Sequence, residues 1–239
     1  MRFMHKSKKD EAIACPLCGM AGAMPFIEIE GQAYHACEQC EIRFLHPRHH
    51  LPPMAEKAHY DQHENDVDDP GYRRFLARLL DPLLAYLDQN PAGQSLAERP
   101  LQALDFGCGP GPALAMMIKE AGHHCALYDP FFHPDQAAID PGEKAGAYDI
   151  ICCTEVAEHL YRPAQVFDQL VKLLAPQGVL AIMTCFQTDD ARFAQWHYRR
   201  DPTHVIFYRL RSFHVLADRF GLCCHSPAKD VVFLKKAGQ

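Results

Sequence analysis

The stretch LDFGCGPGP, Leu104–Pro112, constrains the fold of this chain more than any other feature. It continues an apolar run, LQALDF, and leads into ALAMMIKEAG, so three glycines and two prolines separate a short buried strand from a helix. A unit of that kind belongs to a parallel sheet with crossover helices. The chain beyond it keeps alternating: HCALYD, YDIICC, a helical pattern from about Pro163 to Leu174, then GVLAIMT. Gly107, Gly109 and Gly111 are spaced G-x-G-x-G, which is neither the dinucleotide fingerprint nor a P-loop, and no lysine follows to meet a phosphate. Pro110 and Pro112 stiffen the loop, and Asp105 at its entrance repels phosphate and favours a cationic ligand. A glycine turn that holds no ligand also fits the loop taken alone.

The next strand, HCALYDP, weighs against that plain reading because it ends in Asp129. A carboxylate at the carboxyl end of the second strand accepts hydrogen bonds from both ribose hydroxyls of a nucleoside lying across the switch point. A ribose site without a phosphate site points to S-adenosylmethionine. Here the chain resembles class I S-adenosylmethionine-dependent methyltransferases: LDFGCGPG matches their glycine motif, LYDP their ribose-binding acid, YDIICCTEVAEHL their fourth-strand motif and LLAPQGVLAIMT their fifth. The resemblance covers roughly residues 97–185. It implies Asp105, Gly107, Gly109 and Gly111 as cofactor contacts, Asp129 on the ribose, and Thr154 or Glu155 near the adenine or methionine end. Only about eighteen residues separate Asp129 from Tyr148, so the usual second helix and third strand are shortened.

A second constraint lies upstream. Cys15, Cys18, Cys37 and Cys40 form a C-x2-C-x18-C-x2-C array, the spacing of four thiolates around one zinc, with Gly19 supplying a permissive backbone in the first knuckle. Four sulfur ligands leave no open position, so the metal is expected to be structural. The region to Pro53 carries short strand-like runs, FIEIEG and AYHAC, and too little apolar sequence to fold without such a staple. With this array the chain also resembles the zinc-ribbon subset of these enzymes, including sugar C-methyltransferases. EVAEHL is similar to a segment of ubiquinone-pathway O-methyltransferases, in which an E-x-x-E-H arrangement can hold a divalent metal; the matching residues here are Glu155, Glu158 and His159. A helix start and a solvated face are the plain alternative for the two glutamates.

The segment WHYRRDPTHVIFY, Trp196–Tyr208, follows the fifth strand of that pattern, where an open α/β sheet places its ligand crevice. Part of it caps the core. Its histidines favour a substrate lid, with His204 as first choice of general base and His159 as second, and with Tyr208 and Arg199 or Arg200 orienting a hydroxyl or carboxylate. A connector bearing Tyr60, His63 and ENDVDDPGYRR leads into YRRFLARLLDPLLAYL, whose apolar residues recur at helical spacing from an Asp69–Pro70 start, with Pro82 expected to kink the helix. The connector either closes over the cofactor or is solvated. Cys108, Cys125, Cys152, Cys153, Cys185, Cys223 and Cys224 read as packing residues.

The expected organisation is α/β: a zinc-ribbon module with a basic amino-terminal tail (1–53), a connector and leading helix (54–100), and an S-adenosylmethionine-binding methyltransferase domain (101–239). The last is a Rossmann-like, mostly parallel sheet of seven-stranded type with helices on both faces. The expected activity is methyl transfer to O, C or N of a small or medium-sized acceptor. A net charge of −6 and the lack of an N-P-P-Y-type motif argue against the RNA methyltransferase alternative, in which the zinc ribbon would grip the substrate. A non-catalytic cofactor-binding scaffold is the other alternative. No apolar run reaches the ~18 residues needed to span a bilayer, and the start lacks a signal-peptide core, so a cytoplasmic location is expected.

Overall fold

The computed structural model describes residues 13–62, 65–88 and 99–237. The basic amino-terminal tail and His63 lie outside the described residues. Two sheets organise the described residues. The first begins with a hairpin, β1 (Met24–Ile29) and β2 (Gln32–Ala36), joined at Glu30 and Gly31, which both have positive φ as the tight two-residue turn requires. β3 (Arg43–Leu45) pairs antiparallel with β2, and the sheet is completed from far along the chain by β8 (Ile206–Phe207), in the order β1-β2-β3-β8. Register pairs Arg43 with Phe207 and Phe44 with Ile206.

Between the sheets run α1 (Pro53–Tyr60) and α2 (Pro70–Asp88). Asp69 caps α2 by accepting the Tyr72 amide hydrogen, and the helix continues through Pro82 without ending there. Its buried stripe, Leu76, Leu79, Leu80 and Leu83, packs on one face of the larger sheet with α3 (Ala113–Glu120).

The larger sheet has the order β5-β4-β6-β7-β10-β9, from β4 (Gln102–Phe106), β5 (His124–Tyr128), β6 (Tyr148–Thr154), β7 (Leu174–Met183), β9 (Leu222–Ala228) and β10 (Val231–Lys236). β5, β4, β6 and β7 are mutually parallel; β10 runs antiparallel to both of its neighbours. Where a seventh strand was expected, between β5 and β6, there is a 3-10 turn and the four-residue helix α4 (Pro141–Lys144). Pro130, Pro134 and Pro141 crowd that segment and cannot donate to a ladder, so β5 remains the edge. α5 (Pro163–Leu173) and α6 (Leu210–Phe220) cover the other face.

One buried cluster spans both sheets: Cys15, Cys37 and Cys40 share it with Phe207, Tyr208 and Phe213. Hydrogen bonds cross the same boundary. Ser212 Oγ donates to the Cys40 carbonyl, Arg219 to the Leu17 carbonyl, and the Leu45 amide to the Val205 carbonyl. The cysteine-bearing sheet therefore shares a core with the larger one. Among the described residues, no helix is long and apolar enough to cross a membrane.

Candidate active site

A cavity of about 600 Å³ opens beyond the carboxyl ends of β4, β5 and β6. Gly107 and Gly109 line it, both with positive φ, and a side chain at Gly107 would lie 2.3 Å from Val156. The Gly107 and Cys108 amides donate to the Tyr128 carbonyl, fixing the loop against the end of β5. Asp129 lines the cavity at 8% exposure, its Oδ1 accepting the Phe131 and Phe132 amides and its Oδ2 the Gly109 amide at 3.1 Å. A carboxylate has about four acceptor positions. Three are taken, which leaves one.

Two of the predicted cofactor contacts lie behind the loop instead. Asp105 is buried and bonds the Ala115 amide in the first turn of α3; burial, opposed by that bond and helped by the charge of Asp129, pushes it up to about 7. It anchors the helix and does not line the cavity. Gly111 is bare for a different neighbour, because a Cβ there would lie 1.8 Å from the Asn65 backbone oxygen. Gly111→Ala is expected to push the 65–69 segment outward, costing about 3 kcal/mol and lowering the melting temperature by roughly 6–12 °C. A calorimetric scan of the variant checks it.

The opposite wall is the strap between β7 and β8. Its His204 meets His159, from the turn after β6, with ring centroids 4.6 Å apart. His204 Nδ1 lies 2.7 Å from the Tyr198 carbonyl and His159 Nδ1 3.2 Å from the Thr203 carbonyl. A carbonyl only accepts, so in each neutral ring Nδ1 carries the hydrogen and Nε2 the lone pair. His204 Nε2 is 3.9 Å from Asp201 Oδ2, and His159 Nε2 is 3.9 Å from Glu158 Oε1. Burial and the neighbouring His159 lower the His204 pKa, against the pull of Glu158 and Asp201. Burial alone would raise Asp201, but the Thr203 hydroxyl and amide, with the two imidazoles, bring it down to about 2. His204 is thus neutral at pH 7 beside a fixed negative charge.

Thr154 and Glu155 also line the cavity, at the end of β6. Glu155 sits at positive φ, with its amide bonded to the Met183 carbonyl. The hydroxyl of Tyr198 lies between Glu155 Oε2 and Glu158 Oε1, and also touches Thr184. Burial pushes both carboxyls up, Glu155 to about 8 with the charge of Glu158 as second cause, so the pair retains a proton at neutral pH. One ligand atom each from Glu158, His159 and His204 lies within 4.8 Å of the others, and Glu158 Oε2 is buried without a hydrogen-bond partner. This trio could hold a divalent cation. Glu155 is outside it, so the third donor differs from the one the E-x-x-E-H resemblance supplied.

Three further predicted residues do not reach the cavity. Tyr208 is fully buried, donates to the Ala157 carbonyl and stacks on Phe213, so it is a core residue. Arg199 is buried against Tyr34 and the Ala194 carbonyl, and Arg200 is exposed beside Gln195. In their place stand Asp201, Glu56 and Tyr161, which the sequence reading passed over, and Tyr60 of the connector, with Glu56 and Tyr60 on α1 and Tyr161 in the segment before α5; Tyr198 does not line the cavity but meets Glu155, which does. Tyr198 and Asp201 lay inside the strap motif; Glu56 and Tyr161 had no local signal, since they meet only across 105 residues of chain.

Away from the cavity, Cys15 Sγ and Cys40 Sγ are 3.5 Å apart and Cys18 Sγ and Cys37 Sγ 3.6 Å, with all four within 4.8 Å. A disulfide would need about 2.05 Å, whereas a tetrahedron with Zn–S bonds of about 2.3 Å has edges near 3.8 Å. Gly19 and Glu41, both at positive φ, close the two knuckles with amide bonds to the carbonyls of Cys15 and Cys37.

A family model described as a methyltransferase domain matches residues 71–226. The ubiquinone biosynthesis O-methyltransferase of Caulobacter vibrioides is 30% identical over 131 residues, covering 47% of this chain and 52% of the relative. That of Rickettsia typhi is 30% identical over 107 residues, covering 38% and 44%. The chain spans about half the length of the curated relatives it matches. Among solved structures, an O-methyltransferase family protein from Burkholderia thailandensis aligns with a TM-score of 0.46 at 15% identity over 77% of this chain and 63% of that one. A 1,6-didemethyltoxoflavin-N1-methyltransferase from the same organism, solved with S-adenosylhomocysteine, aligns with a TM-score of 0.43 at 15% identity over 89% and 99%. The family match takes in the glycine loop, Asp129, both histidines and the strap, and the chain belongs to the methyltransferase-domain family, in its class I S-adenosylmethionine-dependent division.

Proposed function

We propose that the chain transfers a methyl group from S-adenosylmethionine to a small acceptor held between α1 and the strap, with His204 as general base. One observation carries the reading: a single cavity runs from the Gly107–Gly109 backbone and Asp129 to His204. The cofactor supplies a methyl group already activated by its sulfonium. Gly107 and Gly109 let the backbone approach it, Asp129 takes a ribose hydroxyl, and Thr154 and Glu155 face its adenine or methionine end. His204 Nε2 takes the acceptor's proton, and Asp201 then faces the imidazolium so formed. His159, packed on the His204 ring, is the second candidate base. Zinc at Cys15, Cys18, Cys37 and Cys40 has a structural task, consistent with the closed donor set.

With isotopically labelled methyl donor and a cell extract, wild-type protein is expected to yield a labelled small molecule. His204→Gln is expected to lower its formation by roughly 10²–10⁴ without changing affinity for S-adenosylhomocysteine. Because His204 must be neutral to act, wild-type kcat/KM should fall with acidification along a limb below pH 6.5, the ordinary histidine value, and the variant should lack that limb. Equal turnover in variant and wild type would refute the base assignment. A second reading is favoured by the convergence of Glu158, His159 and His204: a divalent cation there would bind acceptor oxygens directly. Dialysis against a chelator, one equivalent of zinc to refill the cysteine array, and then magnesium or manganese separates the two, since only the second reading has activity that returns with that second metal.

A further inference from the structure

The described residues lining the cavity include Glu56, Asp129, Glu155 and Asp201 but no lysine or arginine. Three of these acids have tasks at the cofactor or at the base. Glu56 has none. It projects from α1 and lines the cavity partly buried, its Oε1 accepting the Tyr60 hydroxyl at 3.0 Å. The Tyr161 hydroxyl reaches its Oε2 at 3.1 Å while also lying 3.0 Å from the Leu51 carbonyl. The nearest cation on the same helix, Lys57, is bound by both oxygens of Asp61 and lies over the Phe132 ring. Burial pushes Glu56 above the ordinary carboxyl value, which is the state of an acid lacking a positive partner.

Around this carboxyl stand aromatic rings. Tyr60 lies 5.7 Å from Phe131 and 5.4 Å from His159, and His50 stacks on Tyr161 at 4.5 Å. An anionic acceptor would meet repulsion from every charged group on this wall. A neutral acceptor would leave the carboxyl uncompensated. A cation of ammonium type gains from both the carboxylate and the ring faces.

Building on the methyltransferase reading, we infer that the acceptor is an amine, taken up as its ammonium ion with the charge between Glu56 and the rings of Tyr60 and Tyr161. The ammonium gives one proton to His204 Nε2. The nitrogen lone pair so released forms the new bond to the methyl carbon, and the electron pair of the broken carbon–sulfur bond stays on sulfur. The product leaves as a methylated ammonium, and His204 returns its proton to water.

The probes are benzyltrimethylammonium and benzoate, of similar size and opposite charge, titrated calorimetrically into the full chain saturated with S-adenosylhomocysteine. The cation is expected to bind at least tenfold more tightly than benzoate. Glu56→Gln, which keeps the shape and an acceptor oxygen, should lose about tenfold of that affinity with cofactor affinity unchanged; Glu56→Lys should reverse the preference. In the extract assay the labelled product should be retained on a cation exchanger and resist alkali. Benzoate binding as tightly as the cation, no response to either Glu56 variant, or a labelled product that is anionic or an O-methyl compound would each overturn the inference. So would the absence of any cation-retained product while the cofactor still binds with measurable heat. Absence of cofactor heat would instead refute the methyltransferase reading itself.

Discussion

Replacing Cys40 with serine is expected to lower the melting temperature by roughly 7–21 °C and to abolish methylation, although no cysteine of the array lines the cavity. In small peptides a structural zinc supplies roughly 10–16 kcal/mol; a third of that, at about 2–4 °C per kcal/mol for a chain of this size, gives the stated range. The loss cannot stay local. Cys40 is fully buried in the cluster that contains Phe207 and Phe213, and its carbonyl receives the Ser212 hydroxyl at the start of α6. β3 pairs with β8, and one residue before β8 the Val205 amide bonds to the Glu158 carbonyl while its own carbonyl accepts from Leu45. His204 is adjacent to that clamp. Loosening the cysteine module therefore frees the strap and His204 with it. Elemental analysis should find one zinc per wild-type chain and less in Cys40→Ser, and chelation of the wild type should reproduce the thermal shift. A variant melting within about 2 °C of wild type with unaltered metal content would refute both the zinc assignment and the clamp.

How far the fold could be read beforehand depended on whether a feature is local. The strand–loop–helix alternation from Gln102 to Met183 was legible because buried parallel strands are continuous apolar runs and each helix shows its own periodicity. The cysteine knuckles were legible because each C-x2-C pair is local in the chain, and the structure brings the four sulfurs within 4.8 Å. β8 was not, since two residues, Ile206 and Phe207, have no period of their own; they are a strand only because β3 offers an edge. The same distinction runs through the site. Gly107, Gly109, Asp129, His159 and His204 do line the cavity, each at a strand end or inside a motif. Asp105 and Gly111 carried the motif but serve a helix start and the close approach of Asn65. Aromatic and basic residues in the strap could not be sorted by composition: Tyr198 and Tyr208 look alike in sequence, yet one hydroxyl meets two carboxyls and the other a buried carbonyl.

The second large effect is expected at Asp129. Asp129→Ala should weaken S-adenosylhomocysteine binding by roughly 30- to 1,000-fold, or about 2–4 kcal/mol, for two reasons that act together. The first is the lost acceptor for the ribose hydroxyl of the proposed cofactor pose. The second is the lost tie between the Gly109 amide and the Phe131 and Phe132 amides, which one carboxylate holds simultaneously. With alanine these three donors lose their acceptor, and Gly109, at φ +64, loses the bond that fixes the loop where it faces the cavity. Asp129→Asn separates the two causes. Its amide carries one acceptor oxygen and one NH2, so either the Gly109 amide or the 131–132 amides must face a donor. The asparagine variant should thus lose nearly as much affinity as alanine despite its matching shape, and its melting temperature should rise less on adding S-adenosylhomocysteine than that of wild type. If Asp129→Asn bound the cofactor as wild type does, neither the ribose contact nor the loop tie would depend on negative charge. If the alanine variant also did, the cofactor would not lie across the ends of β4 and β5 at all.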